Sequence, residues 1–271
     1  MTSSRPYAEV IGDPIAHSKS PLIHRHWLGK LGLDADYRAW RVAPGELADY
    51  LAARRDDPDW RGCNVTMPHK QAILALLDSV DPSAAAIGAV NTVGRNADGR
   101  LHGQNTDLHG IHRSLEGVRL EDAEVVLVGA GGAARPAAYA LRRAGVRRLT
   151  ILTRDPAKGR RLADQLFPGA EIGALASEPA GDLLVNATPL GMAGQPWPRL
   201  PLGGLAPGAM VFDMVYAPAR TELLVDAHAR GFRTVGGATM LLFQAAQAFA
   251  TFFGKPAPID LGDGLVEQLT A

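Results

Sequence analysis

The chain has a single cysteine, Cys63, which leaves no partner for an internal disulfide. It has no excess of either charge: 28 Lys and Arg balance 28 Asp and Glu. That excludes a generally basic nucleic-acid-binding protein. No apolar run reaches the ~18 residues that suggest a membrane span; the longest even with glycine counted, Val125 to Ala134, stops well short. No charged-then-apolar leader precedes the first apolar residues, so the sequence predicts a cytoplasmic chain with neither membrane nor nucleic acid as a partner. Internal repeats, low-complexity tracts and long linkers are missing as well. There is no H-E-x-x-H motif and no cysteine cluster, and His17, His24, His26 and His69 follow no compact ligand spacing. The histidines read as core or solvent-facing residues, and no metal is expected. Ser18 stands in neither a G-x-S-x-G turn nor an evident triad, which disfavours nucleophilic catalysis.

What is present is a chain able to bury a core, with 46% hydrophobic and 21% charged residues. At ~150 residues per domain its length suggests two domains. Strand-like and helical stretches alternate, which predicts an α/β fold with a largely parallel sheet. Residues 7–12, 37–42 and 62–65 read as strands. Helices are expected over 21–31, with Ser20 as N-cap and Pro21 as first residue, over 44–55, and from about Pro68 with Ile73, Leu74 and Leu77 on one face. Residues 89–93 and 100–103 predict a hairpin turning at Asp98-Gly99. From Glu124 on, strands at 124–128, 149–152, 183–186, 210–213 and 234–236 alternate with a helical stretch from the turn 129–132 to Arg143 and helices at 156–166 and 221–230, a doubly wound nucleotide-binding layout. The tail 240–253 reads as an apolar helix carrying Gln244 and Gln247 on one face, and buried glutamines need partners.

Glycine is plentiful, 30 of 271 residues, against an ordinary ~7%. Gly129, Gly131 and Ala134 fit G-x-G-x-x-A between an apolar strand and a helix. In such a turn the first glycine permits the bend, the second admits a pyrophosphate, and the small third residue lets helix and strand pack. The free N–H groups at the helix start then face the phosphates. An NAD site places an acid at the end of the next strand; here that position is Thr153, followed by Arg154, with Lys158 one turn on and Arg135 near the glycines. Guanidinium geometry suits a 2′-phosphate and favours NADP. Asp155 argues for NAD if its carboxylate turns inward.

Three polar segments flank apolar strands in the first half. Ser18-Lys19-Ser20-Pro21 opens a predicted helix, where hydroxyls and free N–H groups suit a carboxylate, although Ser20 alone reads as an N-cap. Asn64 to Lys70 runs from a strand into a predicted helix start, where the helix dipole helps lower the Lys70 ammonium pKa. Asn91-Thr92 and Asn105-Thr106-Asp107 are the third; singly, all of these are turn formers.

Together the strings IAHSKSP, NVTMPHK, GAVNT, NTD, GAGGAAR, NATPLGM, DMVY and MLLFQAAQAF stand in the order and spacing of shikimate dehydrogenases. From Val10 to Phe253 the chain resembles that family. The resemblance implies reversible NADPH-dependent reduction of 3-dehydroshikimate to shikimate, in aromatic amino acid biosynthesis. It implies an N-terminal α/β substrate-binding domain, residues 1–107 completed by 240–271, and a Rossmann-like dinucleotide-binding domain, residues 108–239, with the active-site cleft between them. By the same resemblance Ser18 and Ser20 hold the substrate carboxylate. Asn64, Thr66, Lys70, Asn91, Asp107 and Gln244 surround the ring hydroxyls and reacting carbon, with Tyr216 close by. Gly129, Ala130, Gly131, Gly132, Ala133, Ala134 and Arg135, then Thr153, Arg154 and Lys158, match the cofactor loops, and Thr188, Met214, Gly237 and Met240 fall on the cofactor side.

The chain also departs from the pattern. Leu108 replaces the glycine usual after the aspartate, Thr153-Arg154-Asp155 with Lys158 replaces Asn-Arg-Thr with a later Arg, and Gly236-Gly237-Ala238-Thr239 replaces Asp-Gly-Leu-Gly. The expected mechanism makes Lys70 the general acid and Asp107 the group that orients it. A carboxylate beside Lys70 raises the ammonium pKa and opposes the helix dipole. A quinate-accepting enzyme using NAD or NADP and a non-catalytic dinucleotide sensor are the competing expectations; the pair Ser18 and Ser20 leans to shikimate. The enzyme is expected to be a monomer or homodimer acting on a small molecule.

Overall fold

The computed structural model describes residues 5–270. The chain divides into two compact units, one running to Thr106 and taking in Leu242–Leu265, the other comprising Asp107–Leu241 and the residues from Val266 on.

In the first unit, β1 (Tyr7–Gly12) is buried over its whole length and lies next to the edge of a six-stranded sheet. The order is β2 (Asp36–Arg41), β1, β3 (Trp60–Val65), β5 (Thr92–Arg95), β6 (Leu101–Gln104) and β4 (Ser79–Val80). β1 is parallel to both neighbours, and β5 runs antiparallel to its neighbours β3 and β6. The β5–β6 hairpin closes where expected: Asn96 N–H donates to Arg100 C=O and Gly99 N–H to Asn96 C=O around Asp98-Gly99. Helices α1 (Ser20–Lys30), α2 (Leu47–Arg55), α3 (Pro82–Ile87) and most of α8 (Gly237–Phe253) belong to this unit. Glu9, in the middle of β1, is buried and accepts from Tyr50 Oη and Arg54 Nε, each at 2.8 Å.

Two local expectations fail for identifiable reasons. α1 starts at Ser20 with Lys19 in the N-cap position, and no side chain caps it. Ser20 is thus a helical residue whose N–H donates to Ser18 Oγ at 3.3 Å. No α-helix begins at Pro68: the chain turns there and then forms only a short 3-10 helix, Ala72–Leu76. The Lys70 carbonyl, which an α-helix would use internally, accepts the Val90 N–H at 2.8 Å. The helix-dipole argument for Lys70 therefore lapses. The apolar face was nonetheless real, since Ile73 is buried and Leu74 and Leu77 pack on the same cluster.

The second unit has an all-parallel sheet in the order β9 (Glu171–Ala174), β8 (Arg148–Thr153), β7 (Glu124–Val128), β10 (Gly181–Asn186), β11 (Leu205–Asp213), β12 (Arg233–Gly236). Starting from the central strand, the chain winds to one edge and then returns to build the other, which is the Rossmann order. Helix α4 (Asp107–Ser114) precedes β7, helices α5 (Ala134–Arg143), α6 (Pro156–Leu166) and α7 (Glu222–Ala229) connect strands, and α9 (Leu265–Thr270) is the last element described. Alternate residues of β7 serve opposite faces: Val125 and Leu127 join one core, Val126 and Val128 the other. A strand covered on both sides reads as an unbroken apolar run, as this one does. Among the described residues no helix is long and apolar enough to cross a membrane, and no group of three or more His, Cys, Asp or Glu side chains could hold a metal ion.

The first unit also buries a histidine among aromatic rings. His24 of α1 stacks on Tyr37 of β2, with ring centroids 4.0 Å apart and planes 4° from parallel, and Trp27, Phe249 and Phe252 surround it. Neither ring nitrogen has a hydrogen-bond partner among the described residues, and burial pushes the imidazole down to about 3. An unfolded chain protonates His24 below its ordinary pKa of 6.5 while the folded chain does not, so its contribution is complete above pH 6.5 and is lost as the pH falls toward 3. We predict that wild type loses up to about 5 kcal/mol over that window on this account. His24→Phe, which retains the stack, should show a correspondingly flatter acid limb when unfolding free energy is measured against pH. Parallel wild-type and variant curves would refute the assignment.

Candidate functional site

The polar segments of the first unit converge at the ends of β3 and β5. Asn64, the penultimate residue of β3, pairs in register with Thr92, the first of β5. Asn64 Nδ2 donates to Thr92 Oγ1 at 3.0 Å and to Asn91 C=O at 3.3 Å, and its Oδ1 accepts from Tyr37 Oη at 2.6 Å. Thr92 Oγ1 reaches Asn91 Oδ1 at 3.1 Å and Thr106 Oγ1 at 3.0 Å. Asn91 Oδ1 also accepts the Thr106 N–H at 2.7 Å, and Thr106 Oγ1 lies 3.5 Å from Gln244 Oε1. Ser20 joins at the other end through a hydrogen bond to the Tyr37 hydroxyl. Ser20, Tyr37, Asn64, Asn91, Thr92, Thr106 and Gln244 are thus one buried chain of neutral groups.

The sequence reading placed Ser20, Asn64, Asn91 and Gln244 here but missed the parts played by Tyr37, Thr92 and Thr106. Tyr37 gave no signal, because a tyrosine on a strand ordinarily contributes to the core. Asn64 spends both amide hydrogens inside the network, whereas the Asn91 amide nitrogen and the Thr66 hydroxyl have no partner among the described residues and stay available to a ligand. Lys70 is half-buried on the turn following Pro68, and its neighbour His69 anchors that turn through Nε2 to Val42 C=O at 2.7 Å. Ser18 is half-buried beside α1, and Gln247 is exposed, so only Gln244 of the two glutamines needed an internal partner. Of the other histidines, His17 is exposed and His26 pairs with Asp263 at 2.7 Å.

In the second unit a cavity of about 210 Å³ opens at the carboxyl ends of β7, β8 and β10, lined by Gly129, Ala130, Gly131, Thr153, Arg154, Lys158 and Thr188 among the expected residues. That is where open parallel sheets hold ligands. Gly129 has φ +108°, and a Cβ there would sit 2.7 Å from Thr188 Cγ2, so only glycine fits. At Gly131 a Cβ would meet nothing within 4 Å, leaving the backbone open to a pyrophosphate. Asp155 also lines the cavity, but one carboxylate oxygen caps α6, accepting the Ala157 and Lys158 N–H groups at 3.0 Å each. Those N–H groups, with the Lys158 ammonium, hold the carboxyl below its usual range. An acid engaged in this way does not take up the ribose-binding role, while Arg154 and Lys158 are exposed. The residues present therefore fit a dinucleotide with a 2′-phosphate.

Gly132, Ala133 and Ala134 form the turn into α5 without lining the cavity, and Arg135 Nη2 donates to Gln165 Oε1 of α6 at 2.9 Å. Met214 and Met240 join the same apolar cluster. A Cβ on Gly237 would collide with the Met214 carbonyl, so glycine is required by close approach. Tyr216 is half-buried, which pushes its phenol up, and Asp107 is the first residue of α4. Leu175, Ala187, Pro189 and Leu190 also line the cavity. Leu175 follows β9, a strand hidden in the sequence by its shortness and by the glycine within Glu171–Ala174.

Residues 10–93 match the family model described as shikimate dehydrogenase substrate binding domain, and residues 111–187 the model described as shikimate / quinate 5-dehydrogenase. The chain is 51% identical to the shikimate dehydrogenase (NADP(+)) of Sphingopyxis alaskensis, over 98% of this chain and 97% of that protein. Among solved structures it resembles the shikimate 5-dehydrogenase of Thermus thermophilus in complex with NADP(H) and shikimate, with 37% identity, TM-score 0.84 and 97% of each chain covered. It also resembles the ligand-free 5-ketofructose reductase of a Gluconobacter strain, with 32% identity, TM-score 0.86 and 98% of each chain covered.

The network makes a thermodynamic prediction. Thr92→Val keeps the shape but removes the hydroxyl shared by Asn64, Asn91 and Thr106, leaving buried groups unpaired. Urea unfolding should show a loss on the order of 2 kcal/mol with an unchanged m-value; a loss below about 0.5 kcal/mol would mean the network is not coupled through Thr92.

Proposed function

The chain belongs to the shikimate dehydrogenase family, and from that premise we propose that it catalyses the reversible NADPH-dependent reduction of 3-dehydroshikimate to shikimate. The observation that carries the reading is end-to-end similarity to an NADP-dependent relative. The two sets of residues described above support it: neutral hydrogen-bonding groups suited to a polyhydroxylated ring, and a glycine turn with exposed cations suited to a phosphorylated dinucleotide.

Bound NADPH supplies the hydride to the carbonyl carbon. The chain must supply position and a proton for the oxygen. In this proposal Ser18 and Ser20 take the substrate carboxylate, and Asn64, Thr66, Asn91 and Gln244 the ring hydroxyls, with Tyr216 beside them. The Lys70 ammonium gives its proton to the carbonyl oxygen and is recharged from water, and in the oxidative direction its amine accepts the hydroxyl proton. Asp107 orients Lys70. Gly129 to Ala134 cradle the pyrophosphate, Arg154 and Lys158 take the 2′-phosphate, and Thr188, Met214, Gly237 and Met240 border the nicotinamide. We further propose a cytoplasmic enzyme, monomeric or homodimeric.

The deciding experiment follows NADPH absorbance with 3-dehydroshikimate, beside oxidation assays with shikimate and quinate using NADP or NAD, and a 5-ketofructose arm. Turnover that favours shikimate and NADP supports the proposal; faster quinate oxidation or 5-ketofructose reduction replaces the substrate. NADPH binding without any turnover leaves a dinucleotide sensor.

Lys70→Ala should lower kcat by ~10²–10⁴-fold with a smaller change in substrate affinity, the range for losing a positioned acid; near-normal turnover would remove Lys70 from the role. The two glycines should separate folding from binding. Gly131→Ala is expected to fold with wild-type Tm yet weaken NADPH binding by about tenfold or more, because its methyl occupies the pyrophosphate approach. Gly129→Ala should lower Tm as well, since its backbone and Thr188 both oppose a side chain. Calorimetry with an NADPH titration checks both.

A further inference from the structure

Asn186 and Asp213 end the adjacent strands β10 and β11 and pair in register, both fully buried. Neither was singled out for chemistry by its residue type, because an Asn and an Asp at strand ends ordinarily begin turns. Their hydrogen bonds do more than that. Asp213 Oδ1 accepts from Asn186 Nδ2 at 2.9 Å and from the Val215 N–H at 3.0 Å, and Oδ2 accepts from Thr221 Oγ1 at 2.6 Å. Asn186 in turn donates to Leu190 C=O at 3.0 Å and accepts from the Thr188 N–H at 3.0 Å and Thr188 Oγ1 at 2.6 Å. Thr188 Oγ1 then accepts the Leu190 N–H at 3.2 Å.

Every donor to Asp213 is neutral, and no cation pairs with it among the described residues. Burying an unpaired carboxylate is costly, and desolvation pushes this carboxyl up despite its three hydrogen bonds. A neutral apolar residue at the strand end would avoid the cost. What the carboxylate provides is two acceptor oxygens that hold three separate stretches: the 186–190 loop, the 213–215 strand end and the Thr221 cap of α7. The first of these is a wall of the 210 Å³ cavity through Ala187, Thr188, Pro189 and Leu190. Thr188 is also the residue that approaches Gly129.

We infer that Asp213 is a positioning residue for the dinucleotide, setting the 187–190 wall of the cavity through Asn186. It touches neither substrate nor cofactor in this scheme. The inference rests on the cofactor assignment above, and the experiment separates the two.

NADPH is titrated by fluorescence into wild type, Asp213→Ala and Asp213→Asn, with KM for shikimate and kcat measured in parallel. If wild type does not bind NADPH, the cofactor assignment itself fails. Given wild-type binding, Asp213→Ala should raise the NADPH Kd about tenfold while KM for shikimate stays within about twofold. Asp213→Asn, which keeps the acceptor facing Asn186 and Val215, should recover most of that affinity. A merely structural role predicts a lower Tm with unchanged Kd in the folded protein, and that result overturns the inference, as does a Kd and a shikimate KM that rise together. If Asp213→Ala does not fold, Thr221→Val decides. It removes the Oδ2 donor together with the α7 cap, neither of which lines the cavity, and a Kd raised about threefold in the folded protein supports the inference while an unchanged Kd overturns it.

Discussion

A polar side chain taken out of water at the end of a strand must find its hydrogen bonds within the protein, and both units are organised by that constraint. In the first, Asn64, Thr92, Asn91 and Thr106 satisfy one another where β3 and β5 meet. In the second, Asn186 and Asp213 do so where β10 meets β11. An orphaned buried group costs about as much as several well-made bonds contribute, and apart from the Asn91 amide nitrogen these groups find partners inside their cluster. Each consequently fixes the chain around it more tightly than apolar packing would.

Close backbone approach is the complementary device. Gly129 tolerates φ +108° and the nearness of Thr188, and Gly237 lies against the Met214 carbonyl. The loop that Asn186 braces thus meets the glycine turn through the Thr188 methyl, where Gly129 has no side chain to oppose it. Asp155 shows how one side chain settles a question of cofactor chemistry. One of its carboxylate oxygens caps the first turn of α6 and the other lies 3.9 Å from the Lys158 ammonium, so the end of β8 presents Thr153 and two cations where an NAD site would present a free acid.

Much of this was legible in the sequence. β1, β7 and the glycine turn announced themselves because burial on both faces and the need for positive φ each leave a residue-level mark. Asp98-Gly99 marked its hairpin for the same reason. What was hidden depended on distant partners. The expected helix at Pro68 yields to a turn because Val90, twenty residues on, claims the Lys70 carbonyl. Ser20 looks like an N-cap until Tyr37, from strand β2, takes its hydroxyl. β9 escaped notice because an edge strand of four residues, Glu-Ile-Gly-Ala, is too short to show either the periodicity or the apolar run by which strands are read. The candidate site residues came mostly from motif resemblance, while the residues that hold them, Tyr37, Thr92, Thr106 and Asp213, required the fold.

Hydrogen-bond accounting then distinguishes groups that hold the site together from groups that can reach a ligand. Asn64 has given both amide hydrogens to Thr92 and Asn91 and one lone pair to Tyr37, so toward a ligand it can only accept. Asn91 is its mirror image: Oδ1 is taken by Thr92 and Thr106, and its amide nitrogen can only donate. Two side chains that look interchangeable in the sequence therefore have opposite polarity in the structure. A ring hydroxyl is both donor and acceptor, and a site that offers a fixed acceptor beside a fixed donor orients such a group instead of merely binding it. That polarity is set by Tyr37 and Thr92, whose hydroxyls determine which way each amide faces.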